Sequence, residues 1–236
     1  VNSGYSILPI ATRIFKLGEN IFDFIYEYIE PLENDVIVIT SKIVSLAENR
    51  TIPLDEVDKT SLVQKESDIY IGEMGYGCHL TVKHGLLIPS AGIDESNADG
   101  SHYILFPEDP FKSAEEIWKA IKQRWSLENL GIIISDSHTS PLRRGVTGIA
   151  LSHWGMRGVK NMIGKQDLFG RQLKMTQINV ADALATAAVF AMGEANEGIP
   201  LAIVRGSDVE FVANTDKNEC KIPIEEDLYA PLLKFQ

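Results

Sequence analysis

Two uninterrupted apolar runs, Val36-Ile37-Val38-Ile39-Thr40 and Gly131-Ile132-Ile133-Ile134-Ser135, constrain this chain more than any other feature. Neither alternates with polar residues, so each suits a strand covered on both faces, inside a sheet clad by other elements. After Gly18-Glu19-Asn20, the residues Ile21, Phe22, Phe24, Ile25, Tyr28 and Ile29 recur at helical spacing until Pro31. With a short β-rich segment from Tyr5 to Ile14, the opening reads β-α-β. Ala114, Ile117, Trp118, Ile121 and Trp125 predict a second helix, with Ser113 as its N-cap. An alanine-rich helix is expected from Asp182 to Met192, and a strand from Leu201 to Val204. The polar stretch from Asp55 to Lys65 reads as helix or loop, and Tyr76 to Ser90 as strands broken by glycines. Strands and helices intermix without a steady βαβ rhythm, so the expected class is α+β or mixed α/β, in one domain over residues 1–236. The GxGxxG fingerprint and the Walker A loop are both absent.

Composition narrows the function. A chain of 236 residues with 44% hydrophobic content can bury a substantial core. No stretch approaches the roughly 18 consecutive apolar residues of a membrane span. The start, Val1-Asn2-Ser3-Gly4, has neither a charged nor an apolar leader region, so a soluble cytoplasmic protein without membrane partners is expected. Cys78 and Cys220 are far apart with no CxxC spacing, which predicts buried free thiols. A net charge of -11 argues against a nonspecific nucleic-acid binder. Between Arg143 and Lys174, however, Arg143, Arg144, Arg157, Lys160, Lys165, Arg171 and Lys174 meet one acid, Asp167. That segment either focuses an anionic small molecule or is a solvated basic face paired with acids elsewhere.

Three acidic segments carry the candidate chemistry. Ala91-Gly92-Ile93-Asp94-Glu95-Ser96-Asn97 leaves a strand-like segment with hard oxygen donors and small residues, a pattern that an Asx turn would also give. Ser135-Asp136-Ser137 follows the second buried run, a usual place for a ligand contact in open sheets. Met192-Gly193-Glu194-Ala195-Asn196-Glu197-Gly198-Ile199-Pro200 joins a helix to a strand. Each is weak alone. Together Asp94, Asp136 and Glu194 are three carboxylates whose convergence requires a cation, and magnesium or manganese with nucleotide phosphates suits such a site.

These blocks, with Ser41-Lys42-Ile43-Val44-Ser45-Leu46-Ala47-Glu48-Asn49-Arg50, Arg143-Arg144-Gly145 and Ile163 through Arg171, resemble the coenzyme F420-0:gamma-glutamyl ligase family in order and approximate spacing from about Thr12 to Gly206. The resemblance implies an α+β, two-lobed fold in an intertwined homodimer, and a ligase that uses GTP, or ATP, with magnesium or manganese to join L-glutamate to a cofactor precursor. It also admits a requirement for potassium. It implies Asp94, Asp136, Ser137 and Glu194 as metal positions. Ser41, Asn97 and the turn Met192, Gly193, Glu194, Ala195, Asn196, Glu197, Gly198 and Ile199 become nucleotide contacts, and Lys42 or Arg13 is expected to supply positive charge to the phosphates. Arg143, Arg144 and Arg171 are expected to position anionic groups during transfer of a phosphoryl group to the acceptor carboxylate. Two departures bear on the nucleotide: Leu46 stands where the family has a lysine, and Ala11-Thr12-Arg13-Ile14-Phe15 replaces a Gly-Leu-Pro segment. The alternatives are a ligase extending a folate or dihydropteroate acceptor, or a non-catalytic nucleotide- and metal-binding regulator.

Overall fold

The computed structural model describes residues 4–95 and 101–233. In chain order the first elements are β1 (Ser6–Ile10), α1 (Ile21–Tyr28), β2 (Asp35–Thr40), α2 (Ser41–Ala47), β3 (Thr51–Pro53), α3 (Lys59–Glu66), β4 (Ile69–Glu73), β5 (His79–Lys83) and β6 (Leu86–Pro89). There follow β7 (His102–Ile104), α4 (Pro110–Trp125), β8 (Leu130–Thr139), β9 (Val146–Trp154), β10 (Val159–Asn161), β11 (Gln177–Asn179), α5 (Val180–Met192) and β12 (Leu201–Arg205). The chain is thus mixed α/β, as expected.

A five-stranded sheet in the order β1-β12-β2-β8-β9 organises the rest. Only β2 and β8 run parallel, and they are the two apolar runs. Alternate side chains of these strands leave on opposite faces. Ile37, Ile39, Ile132 and Ile134 meet Phe24, Ile25 and Ile29 from α1 and its end, Ile43 and Val44 from α2, and Ala114, Ile117 and Ile121 from α4. Val36, Val38 and Ile133 meet Leu184, Ala185, Ala188 and Met192 of α5. At about 1.5–3 kcal/mol for each fully buried large aliphatic side chain, the two clusters are the main source of stability. Asp35 begins β2 fully buried, where a two-pronged contact from Arg205 satisfies it at 2.7 and 2.9 Å.

Among the boundaries that differ from those read in the sequence, α4 and β8 matter most. Helix α4 starts at Pro110, with the Asp109 carboxylate accepting from the Lys112 N–H, because proline fits the first turn without losing a needed donor. Ser113, the expected cap, lies inside the helix and donates to the Glu48 carboxylate. Strand β8 does not stop where its apolar run ends at Ser135 but continues to Thr139, since β9 pairs with that polar half and supplies its hydrogen bonds. The cysteines are free, yet Cys78 is half-buried and Cys220 exposed rather than both buried. Among the described residues, no helix is long and apolar enough to cross a membrane.

Helix α5 approaches β9 closely enough that a Cβ on Gly148 would lie 2.5 Å from the Ala185 carbonyl oxygen. Its alanines permit that distance, and it carries Met192 and the following turn to the end of the sheet. Gly148→Ala should therefore cost about 1–3 kcal/mol of stability by forcing α5 outward. Urea unfolding checks this, and an unchanged midpoint would contradict the close packing.

Candidate active site

The parallel register sets the site. Thr40 lies opposite Ser135, so the chain leaves β2 through Ser41-Lys42 beside Asp136-Ser137 of β8. Strand β12 is antiparallel to β2, so the turn before it arrives at the same edge, and the Thr40 N–H donates to the Pro200 carbonyl at 3.0 Å. β1 is antiparallel to β12 and leaves there too, with the Thr12 N–H donating to the Gly198 carbonyl at 2.9 Å. Four segments distant in sequence are thereby gathered at one end of one sheet.

Asp94 comes from outside that sheet. Its backbone exchanges hydrogen bonds with Ile104, which pairs with Thr51 just beyond α2. The approach needs glycine at position 92, where φ is +71° and a Cβ would lie 2.1 Å from the Phe106 ring.

The four segments, with Thr51, His102 and Ile104, line a cavity of about 750 Å³, and Asp94 itself stands outside its wall. Lys42, Asp136, Ser137 and the whole stretch Met192, Gly193, Glu194, Ala195, Asn196, Glu197, Gly198 and Ile199 form part of its wall. Lys42 Nζ lies 2.7 Å from Asp94 Oδ2. Burial works to lower the Lys42 pKa, but the Asp94 hydrogen bond and the charges of Asp94, Asp136 and Glu194 outweigh it and hold the ammonium above its ordinary value. Burial pushes the Asp136 carboxyl up to about 7, aided by Asp94 and Glu194 and opposed by Lys42 and the Ser137 N–H. The Glu197 carboxylate accepts from the Ala195 N–H at 2.8 Å and closes its own turn.

Several expected residues stand elsewhere. Ser41 is buried and forms no part of the wall. Arg143 and Arg144 sit exposed between β8 and β9, and Arg171 is tied to Asp167 at 2.9 Å, all outside the cavity. The basic segment is not focused on one ligand: Lys160 pairs with Asp208, and Arg157 lies near Glu210 and Glu219, acids that follow later in the chain. Asn97 falls outside the described residues. The cavity wall also includes His102, Thr51 and Leu46, and His102 carried no local sequence signal for such a role. Arg13 lines the wall too, but its guanidinium grips Glu19, approaches Glu27 at 3.4 Å and lies over the Phe24 ring. That grip holds Glu19 down to about 2.

Among the described residues, no three His, Cys, Asp or Glu side chains are arranged closely enough to hold a metal ion by themselves. What Asp94, Asp136 and Glu194 share is the Lys42 ammonium. Magnesium, however, is commonly held by one or two carboxylates with water and substrate phosphates completing the shell, and an open, acid-rich wall with a neighbouring hydroxyl fits that mode.

A profile of the family described as F420-0:Gamma-glutamyl ligase matches residues 9–206. The chain belongs to this family. It is 36% identical to the coenzyme F420:L-glutamate ligase of Methanocaldococcus jannaschii, over 94% of this chain and 96% of that protein. The enzymes of the same name from Methanopyrus kandleri and Methanococcus maripaludis strain S2 are 33% and 37% identical, over 86% and 84% of this chain and 87% and 86% of theirs. Of the three candidate acids, Asp136 and Glu194 line the cavity, and Asp94 meets it through its contact with Lys42.

Because the Asp136 carboxyl is raised from 3.8 to about 7, the metal-free folded state binds more protons than the unfolded state between those values. Its contribution to stability therefore falls as pH rises through that window. In chelator-treated protein, Asp136→Asn should match wild type only below the ordinary carboxyl value of 3.8 and exceed it increasingly up to about 7, by an amount on the order of a few kcal/mol. Parallel stability profiles for the two proteins would contradict the placement of this carboxyl.

Proposed function

We propose that this protein joins L-glutamate to the carboxylate of a coenzyme F420 precursor, at the expense of GTP or ATP and with a magnesium or manganese ion. The observation that carries this reading is the family match together with Asp136, Glu194 and Lys42 on one cavity of about 750 Å³, with Asp94 held on the Lys42 ammonium. A carboxylate does not condense with an amine unaided, so its oxygen attacks the γ-phosphorus and nucleoside diphosphate leaves. The glutamate amine then attacks the acyl carbon, loses a proton, and expels phosphate with the original carboxylate oxygen.

Asp94, Asp136 and Glu194, with the Ser137 hydroxyl, are the groups that would hold the ion. When bound, the ion neutralises charge on the phosphates. The backbone N–H groups and small residues of the turn from Gly193 to Gly198 let a nucleotide approach closely. The Lys42 ammonium supplies positive charge at the carboxylate end, where Leu46 supplies none. Arg13, gripped by Glu19, keeps the shape of the opposite wall.

A homodimer accords with the large apolar side chains that a single chain leaves bare, Leu142, Leu168, Phe169, Met175 and Phe190. Arg143, Arg144 and Arg171 line no part of the cavity in one chain, so contact with an anionic substrate would come from the assembly of two. Residues 1–236 act together as one domain in this reading.

The test is purified protein with GTP or ATP, L-glutamate, and either the deazaflavin precursor or a dihydropteroate acceptor. Mass spectrometry should show glutamate added to the deazaflavin, with turnover lost by at least about 100-fold in Asp94→Asn and Asp136→Asn. Extension of the dihydropteroate alone would replace the substrate. A fully active Asp136→Asn protein would remove that carboxylate from the site, and no product from any acceptor would leave a binding protein in place of an enzyme.

A further inference from the structure

Three carboxylates act on one ammonium at this cavity. Lys42, Asp136 and Glu194 share its wall, Asp94 is in contact with Lys42 Nζ at 2.7 Å, and all three acids act on that ammonium. With every group ionised, the cluster carries an excess of two negative charges. A divalent ion on the Asp94 oxygen that Lys42 now contacts would sit within a few ångströms of the ammonium, and two cations at that separation repel strongly. Both cannot hold Asp94 in one geometry. The lysine stem has four carbons and rotates freely enough to give way. The way out leads into the cavity, since Lys42 itself forms part of its wall beside Thr40, Ile43 and Leu46.

We propose that Lys42 is a place-holding cation: its ammonium balances the acidic cluster until the divalent ion binds, and then turns from Asp94 to the nucleotide phosphates. The inference rests on the metal and nucleotide use set out above, and it concerns a residue that exchanges partners rather than a further metal ligand. It accounts for how a chain with leucine at position 46 keeps both requirements. The same ammonium prevents mutual repulsion of the acids without metal and supplies the phosphate contact with it. Arg13 cannot share this role, because Glu19 and Glu27 already hold its guanidinium.

The two halves of the exchange predict opposite signs in one variant. Lys42→Met keeps the stem and removes the charge. In the absence of nucleotide it should bind Mn²⁺ roughly tenfold tighter than wild type, because the competing cation is gone. The loss of the free Mn²⁺ paramagnetic resonance signal on titration reads this directly. With Mn²⁺ saturating, the same variant should bind GTP roughly tenfold more weakly, as read by calorimetry. Lys42→Arg retains the charge and should keep Mn²⁺ affinity near the wild-type value, and Lys42→Gln serves if the methionine variant fails to fold. A purely structural ion pair would lower thermal stability in Lys42→Met without raising Mn²⁺ affinity, so equal or weaker Mn²⁺ binding overturns the proposal. Failure of the underlying metal reading looks different: neither wild type nor variant then depletes free Mn²⁺ at millimolar concentration, and the proposal falls with it.

Discussion

The parallel pairing of β2 with β8 is the constraint on which the rest depends. β2 and the apolar half of β8 are buried on both faces, with Ile37 and Ile39 of β2 on one side and Val36 and Val38 on the other. A slip of one residue would exchange these faces and leave side chains of the wrong size against α5 and the α1, α2 and α4 layer. The same slip would move Lys42 along Asp136. Core packing therefore fixes, as a by-product, the relation between the lysine and the carboxylate. The antiparallel neighbours β12 and β1 then bring the turn after α5 and the segment from Thr12 to the same edge, held by backbone hydrogen bonds rather than by any functional side chain.

Much of this frame was legible in the sequence because it is local. The two apolar runs, the helix after Asn20 and the alanine-rich helix are each set by residues within a few turns of one another. Strand β9 was not legible, and neither was the polar half of β8. Ser135 through Thr139 looks like the end of a strand until β9 pairs with it, and that pairing is a long-range choice. The same holds for the basic segment from Arg143 to Lys174, whose partners Asp208, Glu210 and Glu219 lie downstream and are brought back by the fold. Of the site, the acids and the turn from Met192 to Ile199 could be named from their types and order. His102 could not, since it reaches the wall through the pairing of β7 with β3.

Electrostatics give the site its character. The protein places an excess of carboxylate charge where burial already disfavours it, and the rise of Asp136 to about 7 registers the cost. Folding alone has no use for this arrangement. The Lys42 ammonium offsets part of that cost. Leu46 brings no charge to the wall, and Lys42 is the ammonium already at the acids.

The central claim is that this cavity joins a carboxylate to glutamate through phosphoryl transfer. The most direct measurement uses acceptor labelled with oxygen-18 in its carboxylate, followed by mass analysis of the phosphate released during one turnover. One labelled oxygen is expected in each phosphate, formed in step with nucleoside diphosphate and amide. Release of nucleoside monophosphate and pyrophosphate, or of phosphate without label, would contradict it.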